Sequence, residues 1–388
     1  MTERILRGLN WGHRRATGPM EEAARVFAQR GLGRVTWTIQ PLSGFESALN
    51  GEAADAYDLV IFDHPFCGTI AAENLFQPLD GQVNLPDDTS FLGASMRSYR
   101  YDGRVWGLPV DAACQVALYR PDLLDGPPPT TWAEVLTLAC ESHRRGQKIG
   151  LAALNPHGFL VLAGFCANLG GAMPEGSPGD RPFAQDILNQ AIACLDELFA
   201  LCDPAGLGWN AIDLHEAMGA RDDLVYCPAT FSYLTYGETD MRRPLGFADF
   251  VGPNGPGVGA VLGGTGLGIT RSCRDPDMAR AFLTMLARPD DHTDLIAHHH
   301  GQPAMTVAWQ DAKADLAVGG ALSATRNSME NASLRPRFNG FIPFQHKAGH
   351  ETEQFLKGEI SATVLADLIE AAWRAATFLT AERAERAP

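Results

Sequence analysis

One stretch of this chain constrains its fold more than any other: Tyr101 to Glu134, YDGRVWGLPVDAACQVALYRPDLLDGPPPTTWAE. Asp102-Gly103 is a pair that closes a tight hairpin turn, because both residues tolerate the backbone such turns need. Val105 to Val110 follows as a strand whose Pro109 lacks a backbone donor, which bars it from a central place in a sheet. Asp111 comes next, a lone carboxylate ahead of the apolar run Cys114 to Tyr119. Pro127-Pro128-Pro129 is a stiff spacer. Thr131, three residues ahead of Glu134, forms the capping box that opens a helix. Turn, strand, apolar crossing, spacer and helix start follow in that order.

A chain of 388 residues exceeds what one hydrophobic core usually serves, so two domains are expected. With 31 basic against 46 acidic residues the formal net charge is −15. That excludes a nucleic-acid or anionic-membrane surface, which needs clustered Lys and Arg. No stretch is apolar enough for a transmembrane span. The start, MTERILRGLNW, enters a strand within a few residues, with no apolar signal region and no small-residue cleavage site. As numbered the chain therefore reads as cytoplasmic; a signal removed ahead of Met1 would make it periplasmic or extracellular. The eight cysteines, Cys67, Cys114, Cys140, Cys166, Cys194, Cys202, Cys227 and Cys273, are scattered without CxxC spacing. They suit buried thiols of a reducing compartment better than a disulfide framework or a zinc site.

Along the chain, Arg4 to Trp11 reads as a strand, and Thr17-Gly18-Pro19 as the opening of a helix with Pro19 in its tolerated first position. Arg34 to Gln40 is a second strand. Tyr57 to Phe62 is a third, apolar on both faces as in a buried parallel sheet, and it stops at Asp63-His64. Strand and helix alternate, which implies parallel sheets whose ligands sit beyond the carboxyl ends of the strands. Trp11, His13, Asp63 and His64 fall there. Further on, a strand from Lys148 to Leu154 ends in Asn155-Pro156-His157, and an aromatic cluster gathers Tyr226, Phe231, Tyr233 and Tyr236. Val261 to Ile269 carries glycines that open a strand rather than a helix, with no Lys-Ser/Thr after them, so the nucleotide-loop reading fails and no cofactor is expected.

The string from DGRVWGLPVD through YRPDLL and the proline run to TWAEVL resembles the periplasmic sugar-binding proteins of bacterial ABC importers, the extracellular solute-binding proteins of the maltose-binding type. So do GQPA at Gly301 to Ala304 and FLKGEISATVLADLIEAA near the end. The resemblance implies an α/β, two-lobed periplasmic-binding-protein-like fold of type II. Each lobe would be a mostly parallel sheet flanked by helices, hinged by two crossing segments, with Val261 to Ile269 the return. It divides the chain into residues 1–111 with 264–309 and residues 112–263 with 310–388. It implies a monomer that binds a small polar ligand, most simply a carbohydrate, and that meets an ABC permease. Gly263-Gly264 would let backbone approach that ligand.

The candidate ligand contacts are Trp11, His13, Asp63, His64, Asp111, Asn155, His157, Tyr226, Phe231, Tyr233, Gly263 and Gly264. Aromatic rings cover apolar sugar faces, and a carboxylate such as Asp111 accepts two hydroxyl hydrogen bonds. The competing reading is a cytoplasmic enzyme using His13, Asp63 and His64 as acid–base groups. Arg14, Arg15, Arg335 and Arg337 would serve an anionic ligand instead. Trp132, in the first turn of a capped helix, reads as a packing residue. Cys67 reads as a small buried thiol before it reads as a nucleophile. His298-His299-His300 reads as a solvated helix end, since adjacent helical residues point apart and cannot share one ion.

Overall fold

The structure is a computed structural model and describes residues 5–41, 49–175 and 181–385. In chain order its main elements are β1 (Ile5–Trp11), α1 (Arg14–Gln29), β2 (Arg34–Gln40), β3 (Leu59–Asp63), β4 (Leu108–Tyr119), α2 (Trp132–Arg144), β5 (Lys148–Ile149) and α3 (His157–Asn168). Then come α4 (Gln185–Phe199), β6 (Leu224–Phe231), β7 (Gly246–Asp249), β8 (Leu262–Thr270), α5 (Pro276–Leu286), α6 (Phe341–Leu356) and α7 (Ala362–Glu385). Arg4 and Met1, named above, lie outside the described residues. Among the described residues no helix is long and apolar enough to cross a membrane.

The chain forms two compact units, residues 1–112 with 263–314 and 337–339, and residues 113–262 with 315–336 and 340–388. Residues 310–314 and 337–339, placed by sequence with the second lobe, cluster with the first. Asp311 caps the turn at Ala314 and faces His298, and the Arg337 guanidinium donates to the carbonyls of Arg97 and Arg100.

In the first unit the strands run β2-β1-β3-β8. β1 is parallel to β2 and β3, while β8 runs antiparallel to β3, with Thr265 opposite Asp63. The helix α1 buries Met20, Ala23 and Phe27, spaced three or four apart, on this sheet. Phe27 meets Phe282 of α5 edge-on at 5.2 Å. The helix starts at Arg14 rather than at Pro19, because His13 already caps it. Pro19 therefore lies in its second turn.

In the second unit the order is β7-β4-β6-β5, and only the β5–β6 pair is parallel. The expectation of a mostly parallel sheet is corrected here. The strands that carry the chain from one unit into the next, β4 and β8, run against their neighbours, so each sheet is mixed. Asp111, read as sitting between the strand Val105–Val110 and the run Cys114–Tyr119, lies with Pro109 inside one continuous strand of twelve residues, β4, which has sheet neighbours on both sides despite its proline. The strand expected over 148–154 is only two residues long. The core gathers on α3, whose Phe159 meets Phe344 of α6 at 5.5 Å; Phe344 in turn meets the fully buried Trp373 of α7 at 4.9 Å. The capping box of α2 has both its bonds, and Trp132 packs edge-on against Phe165 at 5.2 Å, as a packing residue should.

Candidate functional site

In the first unit the carboxyl ends of β1 and β3 lie on one edge of the sheet, because the two strands are parallel neighbours. That edge carries Trp11, His13, Asp63 and His64. Each follows from local structure. β1 ends at Trp11, whose amide donates to Asn10 Oδ1 at 2.8 Å. Gly12 then donates to the Gln40 carbonyl at 2.9 Å and turns the chain. His13, in extended conformation, caps α1: its Nδ1 accepts from the Arg15 amide at 3.1 Å. Its ring stacks on the Trp11 indole at 5.7 Å and 19°. His64 is fully buried at the start of a short helical turn, its Nδ1 3.2 Å from the Asp63 carboxylate and its ring 6.2 Å from Tyr99.

Asp111 is 7% exposed and does not stand ready for hydroxyl groups. Arg15 grips both of its oxygens, Nε to Oδ2 at 2.6 Å and Nη2 to Oδ1. The same guanidinium carbon lies 6.0 Å from the Trp11 ring. Sequence reasoning named Arg15 only as an alternative anion binder; its role as partner of Asp111 was missed, since 96 residues separate them. Gly263 and Gly264 begin the first unit's part of β8, half-buried. Gly264 has φ +101°, a conformation that favours glycine, and its carbonyl accepts from the Tyr99 hydroxyl at 3.4 Å.

In the second unit Phe231 ends β6 half-exposed. His157 lies 6.3 Å from its ring and the Arg335 guanidinium 5.9 Å. Arg335 is held by the Leu262 carbonyl at 3.1 Å and Gln345 Oε1 at 3.2 Å. Burial, aided by the nearby Arg335 charge, pushes His157 down to about 4, so its ring is neutral at pH 7. Asn155 donates to the His346 carbonyl at 3.0 Å. Gln115, Thr230, His157 and Phe231 line one small cavity, and the buried Thr230 hydroxyl has no partner among the described residues. Gln115 and Thr230 escaped the sequence reading, though their place in apolar strands was a signal.

Two of the aromatic candidates are corrected. Tyr226 is fully buried opposite Tyr119, five residues and roughly 17 Å along β6 from Phe231. Its hydroxyl is pushed well up by burial, so it belongs to the core. Tyr233 packs against His215 at 5.5 Å, in a cluster with Tyr236 and Phe247, and is 6% exposed. Cys67 is fully buried, and desolvation raises its thiol far beyond the ordinary range, so it stays protonated and cannot serve as a nucleophile. Two of the three adjacent histidines diverge: His298 faces Asp294 and Asp311, and His299 faces Glu22.

A family model described as bacterial extracellular solute-binding protein matches residues 27–318, most of the chain. The chain belongs to this family of solute-binding proteins. The family binds rather than transforms its solutes, and the acid–base reading of His13, Asp63 and His64 gives way to that role. Solved structures share the fold at low identity. The maltose-bound MalE3 of T. maritima is 17% identical with a TM-score of 0.79, covering 97% of this chain and 99% of that one. A Thermotoga lettingae ABC transporter solute-binding protein bound with α-D-tagatose is 16% identical at 0.81, covering 97% and 100%. One from Agrobacterium radiobacter K84 in complex with ribitol is 17% identical at 0.77, covering 96% and 98%. No curated protein matches the sequence.

Proposed function

We propose that this solute-binding protein takes a small polyhydroxylated solute, a mono- or disaccharide or a sugar alcohol, and delivers it to an ABC-type permease outside the cytoplasm. The observation that carries the reading is the family match over residues 27–318, together with structural neighbours whose bound solutes are maltose, α-D-tagatose and ribitol. The residues at hand suit such a solute. Taken unit by unit, His13 and Asp63 in the first supply polar groups for hydroxyls, and in the second Phe231 supplies aromatic surface with Asn155 and the neutral His157 as polar groups, whereas Trp11 at 2% exposure and the fully buried His64 stand behind them. Tyr226 is left out of the proposed contacts, and Asp111 acts through Arg15 rather than directly.

The test is a melting experiment with maltose, D-tagatose and ribitol at millimolar concentration. A solute at a hundred times its dissociation constant stabilises the folded state by about 2.7 kcal/mol through mass action, which reads as a rise of a few degrees. A melting temperature indifferent to all three, and to a wider set of sugars and polyols, would overturn the reading. Delivery outside the cytoplasm predicts that the native protein is recovered in the periplasmic or secreted fraction.

A further inference from the structure

β2 ends its sheet without the usual guards. It is the last strand of the first unit's sheet, and no described strand pairs with its outer side. Such an edge offers a row of backbone donors and acceptors to any strand that reaches it, and proteins blunt it with lysine, proline, a bulge or a short strand. β2 has none of these. Its seven residues, Arg34-Val35-Thr36-Trp37-Thr38-Ile39-Gln40, pair with β1 in unbroken register, and its one charge stands at the first position.

The same seven residues read alike in both directions. About Trp37, Thr36 mirrors Thr38, Val35 mirrors Ile39, and Arg34 mirrors Gln40 in length and polarity. An antiparallel pair sets residues opposite one another in reversed order, so a second β2 centred on the same tryptophan matches like with like. Val35, Trp37 and Ile39 alternate onto one face, that of α1, where Trp37 donates from Nε1 to the Met20 carbonyl at 3.0 Å. β-Branched and aromatic residues would meet on that face and threonines on the other, both favourable cross-strand pairings. Arg34 falls opposite the neutral Gln40 of the copy, so no like charges face each other across the pair.

The edge also has a knob and a hole. Ile39 is 45% exposed. Between α1 and β2 lies a groove of about 450 Å3, lined by Ala24, Ala28, Val35 and Trp37 together with Glu21 and Arg25, a charge of each sign. In the register centred on Trp37 the copy's Ile39 stands opposite Val35, at this groove, and the two-fold axis repeats the contact.

We propose that β2 is an association edge for a second copy of this chain, which pairs with it antiparallel about Trp37 to form a two-fold dimer. Each chain has one β2, so assembly stops at two. Seven residues span roughly 23 Å, at the small end of specific interfaces, so the pair is weak, with a dissociation constant on the order of 0.1 mM.

The test is sedimentation velocity of the whole chain from about a tenth of that concentration to about ten times it. The parent should pass from monomer to a single dimer. Ile39→Lys changes a side chain already exposed in the monomer; it should melt within a degree or two of the parent and dimerise at least tenfold more weakly. Two double variants read the register. Thr36→Lys with Thr38→Lys sets like charges opposite at both threonine pairs and should weaken the dimer about tenfold, whereas Thr36→Asp with Thr38→Lys sets opposite charges there and should pair at least as tightly as the parent. Each chain carries a net charge of −15, so added lysines relieve the general repulsion, and a loss in the double-lysine variant reports the local pairing. A parent that stays monomeric throughout overturns the proposal, as does a dimer indifferent to Ile39→Lys, which lies on another surface. Equal pairing by the two double variants overturns the register, and growth beyond two copies overturns the two-fold closure. Solute binding is measured separately and stands whichever result is found.

Discussion

At the scale of single residues, burial decides what Asp111 can do. A carboxylate 7% exposed with both oxygens on a guanidinium has exchanged water for one partner, and a hydroxyl cannot displace that partner cheaply. Removing one half is the costly change. Asp111→Ala leaves the Arg15 charge buried and should destabilise the protein by roughly 3–5 kcal/mol. Asp111→Leu with Arg15→Met, similar in volume and uncharged, should recover most of that. Urea unfolding of the two variants beside the parent decides it, and equal losses in the single and double variants would show that the pair's geometry, not its charge balance, matters. Here the sequence was half legible. A carboxylate inside an apolar crossing strand marked Asp111 as exceptional, but no local pattern could show that Arg15 would answer it from 96 positions away. Tyr226 and Phe231 make the same point. Five positions apart on one strand, they look alike in sequence, yet one is fully buried and the other ends the strand half-exposed.

At the scale of elements, local signals carried further because their physics is local. Thr131 and Glu134 form their reciprocal cap as the spacing requires, with Glu134 Oε2 accepting from the Thr131 amide at 3.0 Å. Thr131→Ala should cost about 1 kcal/mol, read as a lower denaturation midpoint at unchanged slope. The N-terminus of α1 was misjudged for a reason of the same kind. Pro19 is a standard opening signal, but His13 supplies an acceptor six residues earlier and the helix starts from it. Gly8 illustrates an element held by a missing side chain. A Cβ there would stand 2.3 Å from the Trp37 ring, which lies across β1 from its partner β2. Gly8→Ala must push the indole aside, so a loss of roughly 1–3 kcal/mol is expected, with a change in tryptophan fluorescence. If Gly8→Ala unfolds at the parent's midpoint, Trp37 is not packed there. The mixed sheets were out of reach of periodicity, which reports burial and not strand direction.

At the scale of the whole molecule, the two units share one design in their buried titratable groups, and it predicts how the protein meets acid. Each holds a histidine that burial pushes to about 4, His292 in the first and His157 in the second. His292 is committed through both nitrogens, Nδ1 to the Leu286 carbonyl at 3.2 Å and Nε2 accepting from the Ala304 amide at 2.9 Å, so a proton on Nε2 would break the latter bond. Each unit also holds a buried aspartate kept below its ordinary range. For Asp58, burial works upward but is outweighed by Arg274 and the amides of Arg7 and Arg274. For Asp203, burial is likewise outweighed, by the Ala205 amide and Arg221. The two kinds of group act in different windows. A histidine neutral in the folded chain binds its proton in the unfolded chain from about pH 6.5 downward, so its stabilisation is complete above that value and is lost as the pH falls toward 4. The aspartates give stability above the unfolded carboxylate value near 3.9, lost only as the pH falls through their lower folded values. Stability should therefore begin to fall near pH 6.5, not near 4. At pH 5, one and a half units below the unfolded histidine, each histidine accounts for ~2 kcal/mol. Urea midpoints at pH 8, 6.5 and 5 measure it. His292→Gln and His157→Gln, each less stable at pH 8, should lose less between pH 6.5 and 5 than the parent does. A parent profile flat across that interval would mean that the two rings are hydrated in solution and that burial does not set their titration.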